Sequence, residues 1–191
     1  MDKKKIEEKL RSFKALILDV DGVFFTGEEF CGVLPDNNVI IMKSRHHHDG
    51  QGLTFLRLIG VKVLFATAEG GSIINIVEKL NNLPGVANGS LSTITALTNL
   101  QKYKSKVESI ELWLSRQMLT WEDCVYIGDD RTDFECMKKA GLAVTPGNGQ
   151  RLIKKISHLI LIKDGGRGAI REFAEIVLDA RDIDESTLPS A

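Results

Sequence analysis

Apolar positions along the chain fall into short unbroken runs that stop at acidic or glycine-rich clusters, separated by stretches where apolar residues recur at three- and four-residue steps. An unbroken run of four to eight residues suits a strand covered on both faces, and the wider spacing suits an amphipathic helix. Phe13 to Leu18 is the first such run, and it ends in Asp19-Val20-Asp21-Gly22. Val61 to Phe65 ends in Ala66-Thr67-Ala68-Glu69-Gly70-Gly71-Ser72, and Cys124 to Ile127 ends in Gly128-Asp129-Asp130-Arg131-Thr132-Asp133. Leu142 to Val144 and Leu159 to Ile162 read as further strands and Val86 to Ser90 as a short one, while Leu91 to Leu100 yields no assignment. Helical spacing marks residues 4–12, Gly52 to Leu58 with Asp49 as its cap, the stretches from Ser72 and from about Ser105, Asp133 to Ala140, and Gln150 to Ile156. A last helix opens at Gly165-Gly166-Arg167-Gly168. The alternation predicts an α/β fold, doubly wound about a mostly parallel sheet.

Val23 to Met42 breaks the alternation. Phe24, Phe25, Phe30, Val33, Val39, Ile40 and Ile41 are interrupted by Thr26-Gly27-Glu28 and Pro35-Asp36-Asn37-Asn38, which predicts a β-hairpin flap over residues 23–42 beside the first acids. So many apolar residues on a projecting element point to a subunit interface. Arg45-His46-His47-His48-Asp49-Gly50 follows. Three consecutive histidines cannot all converge on one ion, so they read as a solvated loop. From about Arg181 the chain is polar and reads as a mobile tail.

With 191 residues, the chain has room for one domain, and neither a linker nor a separate cap domain is read. Apolar residues make up 43% and charged residues 27%, with a net charge of −1, so neither nucleic acid nor an anionic membrane is an expected partner. The charged N-terminus lacks the apolar core of a secretory signal, and no apolar run approaches membrane-spanning length, so the expected location is cytoplasmic. Cys31, Cys124 and Cys136 are odd in number and form no Cys-x-x-Cys pair, against both a disulfide framework and a zinc knuckle.

In a doubly wound sheet, ligands bind outside the carboxyl ends of the strands, so the acids at the strand ends should converge. Carboxylates that close together need a shared cation or proton, and magnesium with its oxygen ligands suits them. The turn from Thr67 to Ser72 reads either as an anion cradle at a helix start or as a simple N-cap by Ser72. Lys104 and Lys106 oppose the dipole of the helix they open, so either is a candidate for meeting an anion.

This arrangement resembles the haloacid dehalogenase superfamily, whose four motifs appear here as Asp19-Val20-Asp21-Gly22, Thr67, a lysine near position 106, and Gly128-Asp129-Asp130-Arg131-Thr132-Asp133. By spacing to the following helix, Lys106 matches the motif lysine better than Lys104. Asp49-Gly50-Gln51-Gly52, Tyr126-Ile127-Gly128-Asp129-Asp130 and Gly165-Gly166-Arg167-Gly168-Ala169-Ile170-Arg171-Glu172 look like the capless branch of 3-deoxy-D-manno-octulosonate 8-phosphate phosphatases and nonulosonate 9-phosphate phosphatases. That branch also holds the C-terminal module of animal CMP-sialic acid synthetases. The resemblance spans most of the chain and implies magnesium-dependent hydrolysis of a phosphorylated 2-keto-3-deoxy sugar acid. Asp19 would be the nucleophile, forming an aspartyl-phosphate, and Asp21 the acid and base. Magnesium would take the Asp19 carboxylate, the Asp21 backbone carbonyl and Asp129. Thr67, Ala68, Lys106, Asp49 and Arg167 would contact phosphate or substrate, with Asp130 and Asp133 supporting them from behind. The branch also implies a homotetramer, with the hairpin and the tail reaching neighbouring subunits. The alternative is a non-catalytic oligomerisation or regulatory module of sugar-nucleotide biosynthesis, and the clustered acids favour catalysis over it.

Two positions depart from the branch. Thr67-Ala68-Glu69 stands where the octulosonate enzymes have Thr-Gly-Arg, an acid more reminiscent of the nine-carbon branch, whereas Arg167 fits the octulosonate pattern. Lys102 replaces the glycine that usually leads into the third motif.

Overall fold

The fold is described from a computed structural model over residues 1–100 and 105–189; Lys102 and Lys104 lie outside the described residues. Helix α1 (Lys3–Ser12), capped by the Asp2 carboxylate accepting from Lys5 N, leads into β1 (Ala15–Leu18). After the hairpin β2 (Glu29–Val33) and β3 (Val39–Lys43) come α2 (His47–Leu58), β4 (Lys62–Ala66), α3 (Ser72–Asn81), the single turn α4 (Pro84–Ala87) and β5 (Ile94–Leu97). The second half runs α5 (Lys106–Arg116), β6 (Cys124–Ile127), α6 (Phe134–Lys139), β7 (Leu142–Thr145), α7 (Arg151–Ile156), β8 (Leu159–Ile160) and α8 (Ala169–Ala180). The main sheet has the order β5-β4-β1-β6-β7-β8, and all its pairings are parallel.

Why the strand sequences lack alternation is visible in the two cores. Leu16 and Leu18 of β1, Val63 and Phe65 of β4, and Val125 and Ile127 of β6 enter one core, which α2, α3 and α8 cover. Ala15, Ile17, Leu64, Ala66, Cys124 and Tyr126 enter the other, beneath α5, α6 and α7. Each face is apolar, so the run is unbroken. Every large aliphatic side chain buried this way contributes roughly 1.5–3 kcal/mol against the entropy of ordering the chain.

Several expectations change. Val86 to Ser90 is not a strand: Pro84 opens a helical turn, where its fixed φ and missing N–H cost nothing, and Gly89 ends it at φ +81°. The strand of that region is β5, inside the unassigned stretch. Asp49 does not cap α2, because His46 takes that position, accepting from His48 N at 3.3 Å. Gly71, at φ +89°, precedes α3 with no side-chain cap, so Ser72 is the first helical residue and not the cap.

The hairpin pairs β2 with β3 antiparallel, Phe30 opposite Met42 and Cys31 opposite Ile41. Val23, Phe24 and Phe25 are not on it but in the core, which shortens the expected flap. Nor is the segment from Arg181 loose. Arg181 donates from Nε to Leu10 O at 3.1 Å and from Nη2 to Phe13 O at 2.7 Å, and Glu185 pairs with Arg171 at 2.6 Å. Ser190 and Ala191 lie outside the described residues. Among the described residues, no helix is long and apolar enough to cross a membrane.

Candidate active site

β1 lies between β4 and β6, with Leu18 opposite both Phe65 and Ile127, so the residues that follow these three strands emerge side by side. Asp19 continues the ladder by one step, donating from its N–H to Ile127 O at 3.0 Å, and is 8% exposed. Asp19, Asp129 and Asp133 each bring a carboxylate oxygen within 4.8 Å of the others. Gly22 permits that approach: it sits at φ +79°, and a Cβ there would overlap the Asp129 carboxylate.

Asp133, fully buried, organises the cluster. Its Oδ1 accepts from Lys106 Nζ and from the Tyr126 hydroxyl, both at 2.7 Å, and its Oδ2 accepts from Asp129 N at 3.0 Å and Asp130 N at 3.3 Å. Lys106, the first residue of α5 behind N-cap Ser105, donates also to Asp19 Oδ1 at 3.0 Å. Asp129 Oδ1 is buried with no hydrogen-bond partner among the described residues. Three carboxylates therefore face one ammonium. Burial, then repulsion from Asp133, pushes Asp19 up to about 7 against the pull of Lys106. Burial, then Asp133 and Asp19, pushes Asp129 up to about 8. Burial disfavours the Lys106 ammonium, yet Asp133 and Asp19 together outweigh it and hold the lysine above its usual range.

The cavity over this cluster, about 270 Å³, is lined by Asp19, Asp21, Thr67, Ala68, Lys106 and Asp129, together with Glu69, Asp130 and Gln150. Thr67 is buried, and its Oγ1 accepts from Glu69 N at 3.1 Å, which leaves the hydroxyl hydrogen for an anion in the cavity. At the mouth, Lys43 at the end of β3 donates to Asp21 Oδ1 at 2.6 Å and Glu69 Oε2 at 2.6 Å and lies 3.1 Å from Glu29 Oε1. Burial works against its charge, but the three carboxylates prevail and raise its pKa.

The family model of haloacid dehalogenase-like hydrolases matches residues 41–170. The chain is a haloacid dehalogenase-like hydrolase. In sequence it is 26% identical over 173 residues to the 3-deoxy-D-manno-octulosonate 8-phosphate phosphatase KdsC of Escherichia coli K12, covering 91% of this chain and 83% of that one. In fold it matches the 3-deoxy-D-manno-octulosonate 8-phosphate phosphatase of Yersinia pestis, with TM-score 0.76 and 24% identity over 93% of this chain and 87% of that one. It also matches the enzyme of that name from Moraxella catarrhalis, solved with magnesium, phosphate and KDO, with TM-score 0.77 and 23% identity over 95% of this chain and 94% of that one. The hydrolase is thus a phosphatase resembling KdsC.

Does the acid cluster fit a metal ion? The donor set is entirely oxygen, it carries excess negative charge in a buried setting, and Asp129 Oδ1 stands unpartnered, all of which suit a hard divalent cation. Asp133 is the least available of the three, since both its oxygens are already engaged. Asp19, Asp21, Asp129, Thr67, Ala68, Lys106 and Asp130 all line one cavity in this phosphatase, and Asp133 accepts from Lys106.

Two residues expected to contact substrate do not line this cavity. Asp49 is fully buried: its Oδ2 accepts from Gly168 N at 3.1 Å and its Oδ1 from Ile170 N and Arg171 N, both at 3.0 Å. It caps α8, where an anion meets the N–H groups that have no partner within the helix and the positive end of the dipole, and burial raises its pKa despite those bonds. Arg167 is exposed and pairs with Glu28 at 3.0 Å, outside the acid cavity. Its glycine neighbours serve the backbone: Gly166 N donates to Val23 O at 2.9 Å, and Asn148 bridges Gly165 N at 2.7 Å to Gly22 O at 2.9 Å, bracing the loop after Asp21. Sequence reading missed Lys43 and the Tyr126 hydroxyl. The one sequence signal for Lys43 is a charge ending the apolar run Val39 to Met42.

Proposed function

We propose that the protein is a magnesium-dependent phosphomonoesterase that hydrolyses a phosphorylated 2-keto-3-deoxy sugar acid through an aspartyl-phosphate, working as a single capless domain. The observation that carries this reading is the Lys106 bridge between Asp19 and Asp133, with Asp129 Oδ1 left unpartnered beside it. Asp19 and Asp129, with the Asp21 backbone carbonyl, would hold the magnesium. Bound there, the ion offsets the charge of the acids and of an arriving phosphate dianion.

Asp19 attacks phosphorus as the ester bond to the sugar oxygen breaks, and Asp21 gives that oxygen its proton. Asp21 then takes a proton from water as the hydroxide attacks phosphorus, the Asp19 oxygen–phosphorus bond breaks, and phosphate leaves. Lys106 and the Thr67 hydroxyl hold phosphoryl oxygens through both steps. Asp133, fixed by Tyr126 and two backbone amides, keeps Lys106 aimed at Asp19. To reach the leaving oxygen, Asp21 must exchange its bond to Lys43 for the substrate.

The relatives' names and the resemblance support the sugar-acid class, octulosonate 8-phosphate or a nonulosonate 9-phosphate. The exposed apolar hairpin, with Phe30 58%, Val39 64% and Met42 60% accessible, supports a homotetramer built on it. Cys124 and Cys136 are buried thiols and Cys31 an exposed one, none in a disulfide, which suits a reducing cytoplasm. The test is phosphate release, with and without magnesium, from octulosonate 8-phosphate, nonulosonate 9-phosphates and p-nitrophenyl phosphate. Turnover should require magnesium and favour one keto-acid ester, and Asp19→Asn should abolish it with the fold intact. An active Asp19→Asn would remove the nucleophile from the scheme.

A further inference from the structure

The acid cavity, at about 270 Å³, is smaller than the 300–1,000 Å³ usual for a whole ligand site, so it accommodates the phosphoryl group and leaves the sugar outside. Glu69 lines it and also lines a second groove of about 450 Å³, whose other polar walls are Glu29, Lys43, Arg45, Ser72 and Asn75. A leaving group held by its phosphate in the first cavity therefore extends past Glu69 into the second.

The groove has two cations of different standing. Lys43 is already matched by Asp21, Glu29 and Glu69. Arg45 makes no ion pair among the described residues, and its buried Nη1 has no hydrogen-bond partner there. The side chain is nonetheless anchored: its guanidinium lies over the Phe24 ring, 5.2 Å from the centroid, and Nη1 rests beside Gly50, where no side chain intervenes. Nη1 itself is closed off against Gly50, but Arg45 as a whole is half-buried and lines the groove without an ion-pair partner among the described residues, and its planar fork matches a carboxylate arriving there.

We propose that Arg45 binds the carboxylate of the sugar acid, with Ser72 and Asn75 beside it for hydroxyl groups, so that this groove sets the enzyme's preference for acid over neutral phosphate esters. This rests on the phosphatase reading above and adds the subsite that reads the leaving group. It also gives a cationic contact to a chain whose second motif carries Glu69 in place of arginine: the positive charge comes from the end of the hairpin.

The experiment compares kcat and KM for octulosonate 8-phosphate and p-nitrophenyl phosphate in the wild type, Arg45→Met and Arg45→Lys, with calorimetric binding of free 3-deoxy-D-manno-octulosonate as a readout independent of turnover. Arg45→Met should lower the acid-over-neutral preference about 10- to 100-fold, mainly through KM, the loss expected for one charged hydrogen-bonding contact. Arg45→Lys should restore part of it, which a purely structural defect would not allow, and free sugar acid should bind Arg45→Met at least about 10-fold more weakly. Unchanged preference in Arg45→Met overturns the proposal, as does a wild type that shows no preference for the acid ester while turning over the neutral one; the phosphatase reading survives both. If the wild type releases phosphate from no ester, that reading falls. Calorimetry then decides the groove by itself: weaker sugar-acid binding in Arg45→Met supports it, and equal binding overturns it.

Discussion

Replacing Asp129 by asparagine separates the two costs of the acid cluster. Its carboxyl is pushed up to about 8 by burial and by Asp133 and Asp19. Because the folded-state pKa lies above the unfolded one, stability is fully present below pH ~4 and is lost as pH climbs through about 8. At about 1.4 kcal/mol per unit, a rise of about four units sets an upper bound near 5 kcal/mol, and relaxation and water entry bring the expectation to about 2–5 kcal/mol at pH ~8. Asp129→Asn removes that charge at constant shape. In chelator at pH ~8 the variant should therefore unfold at higher urea than the wild type by that amount, and the advantage should shrink below about 1 kcal/mol near pH 4, where the folded carboxyl is protonated and the unfolded one is only about half ionised. Magnesium at about 100 times its Kd should stabilise the wild type by about 2.7 kcal/mol at pH ~8, and the variant, missing a ligand, by far less. A variant no more stable than the wild type in chelator, or equally stabilised by magnesium, would refute the assignment of Asp129 as an unpaired acid awaiting a cation.

Asp49→Ala should cost about 2–4 kcal/mol in urea unfolding, since three buried N–H groups at the start of α8 lose their acceptor, while KM for the phosphate ester stays the same in the folded fraction; a raised KM would return Asp49 to the substrate site. Phe30→Asp, at a position 58% exposed on the hairpin, should dissociate the proposed tetramer in analytical ultracentrifugation with little loss of secondary structure. An unchanged sedimentation coefficient would refute a tetramer built on the hairpin.

What the sequence made legible follows from which interactions are local. Asp19, Thr67 and Asp129 could be placed together because each ends an apolar run, and parallel strands bring their carboxyl ends to one edge without further information. β5 escaped because Ile94-Thr95-Ala96-Leu97 is an edge strand whose last three residues are only half covered, so it shows neither alternation nor an unbroken apolar run. Asp49 was misread because its partners, Gly168 to Arg171, lie more than a hundred residues away, and an acid near a helix start looks the same whether it caps its own helix or another. Lys43 could not be located at all: its side chain meets Asp21 and Glu69 only because the hairpin folds back against the loops after β1 and β4.

That origin gives the hairpin a second consequence. A two-stranded hairpin alone is marginal in water, and Phe30, Val33, Val39, Ile40, Ile41 and Met42 all stand exposed on this one. Its root still holds the mouth of the site, because Lys43 ties Asp21 to Glu69 and Arg45 lies two residues beyond it. Covering the hairpin in the proposed tetramer would bury those apolar side chains and narrow the conformations open to β3. The same burial that joins subunits would then fix Lys43 and the proposed sugar-acid contact Arg45, so that loss of assembly should be felt as a raised KM for the proposed sugar-acid ester before it is felt at the buried Asp19–Lys106–Asp133 cluster, whose contacts come from the main sheet and α5.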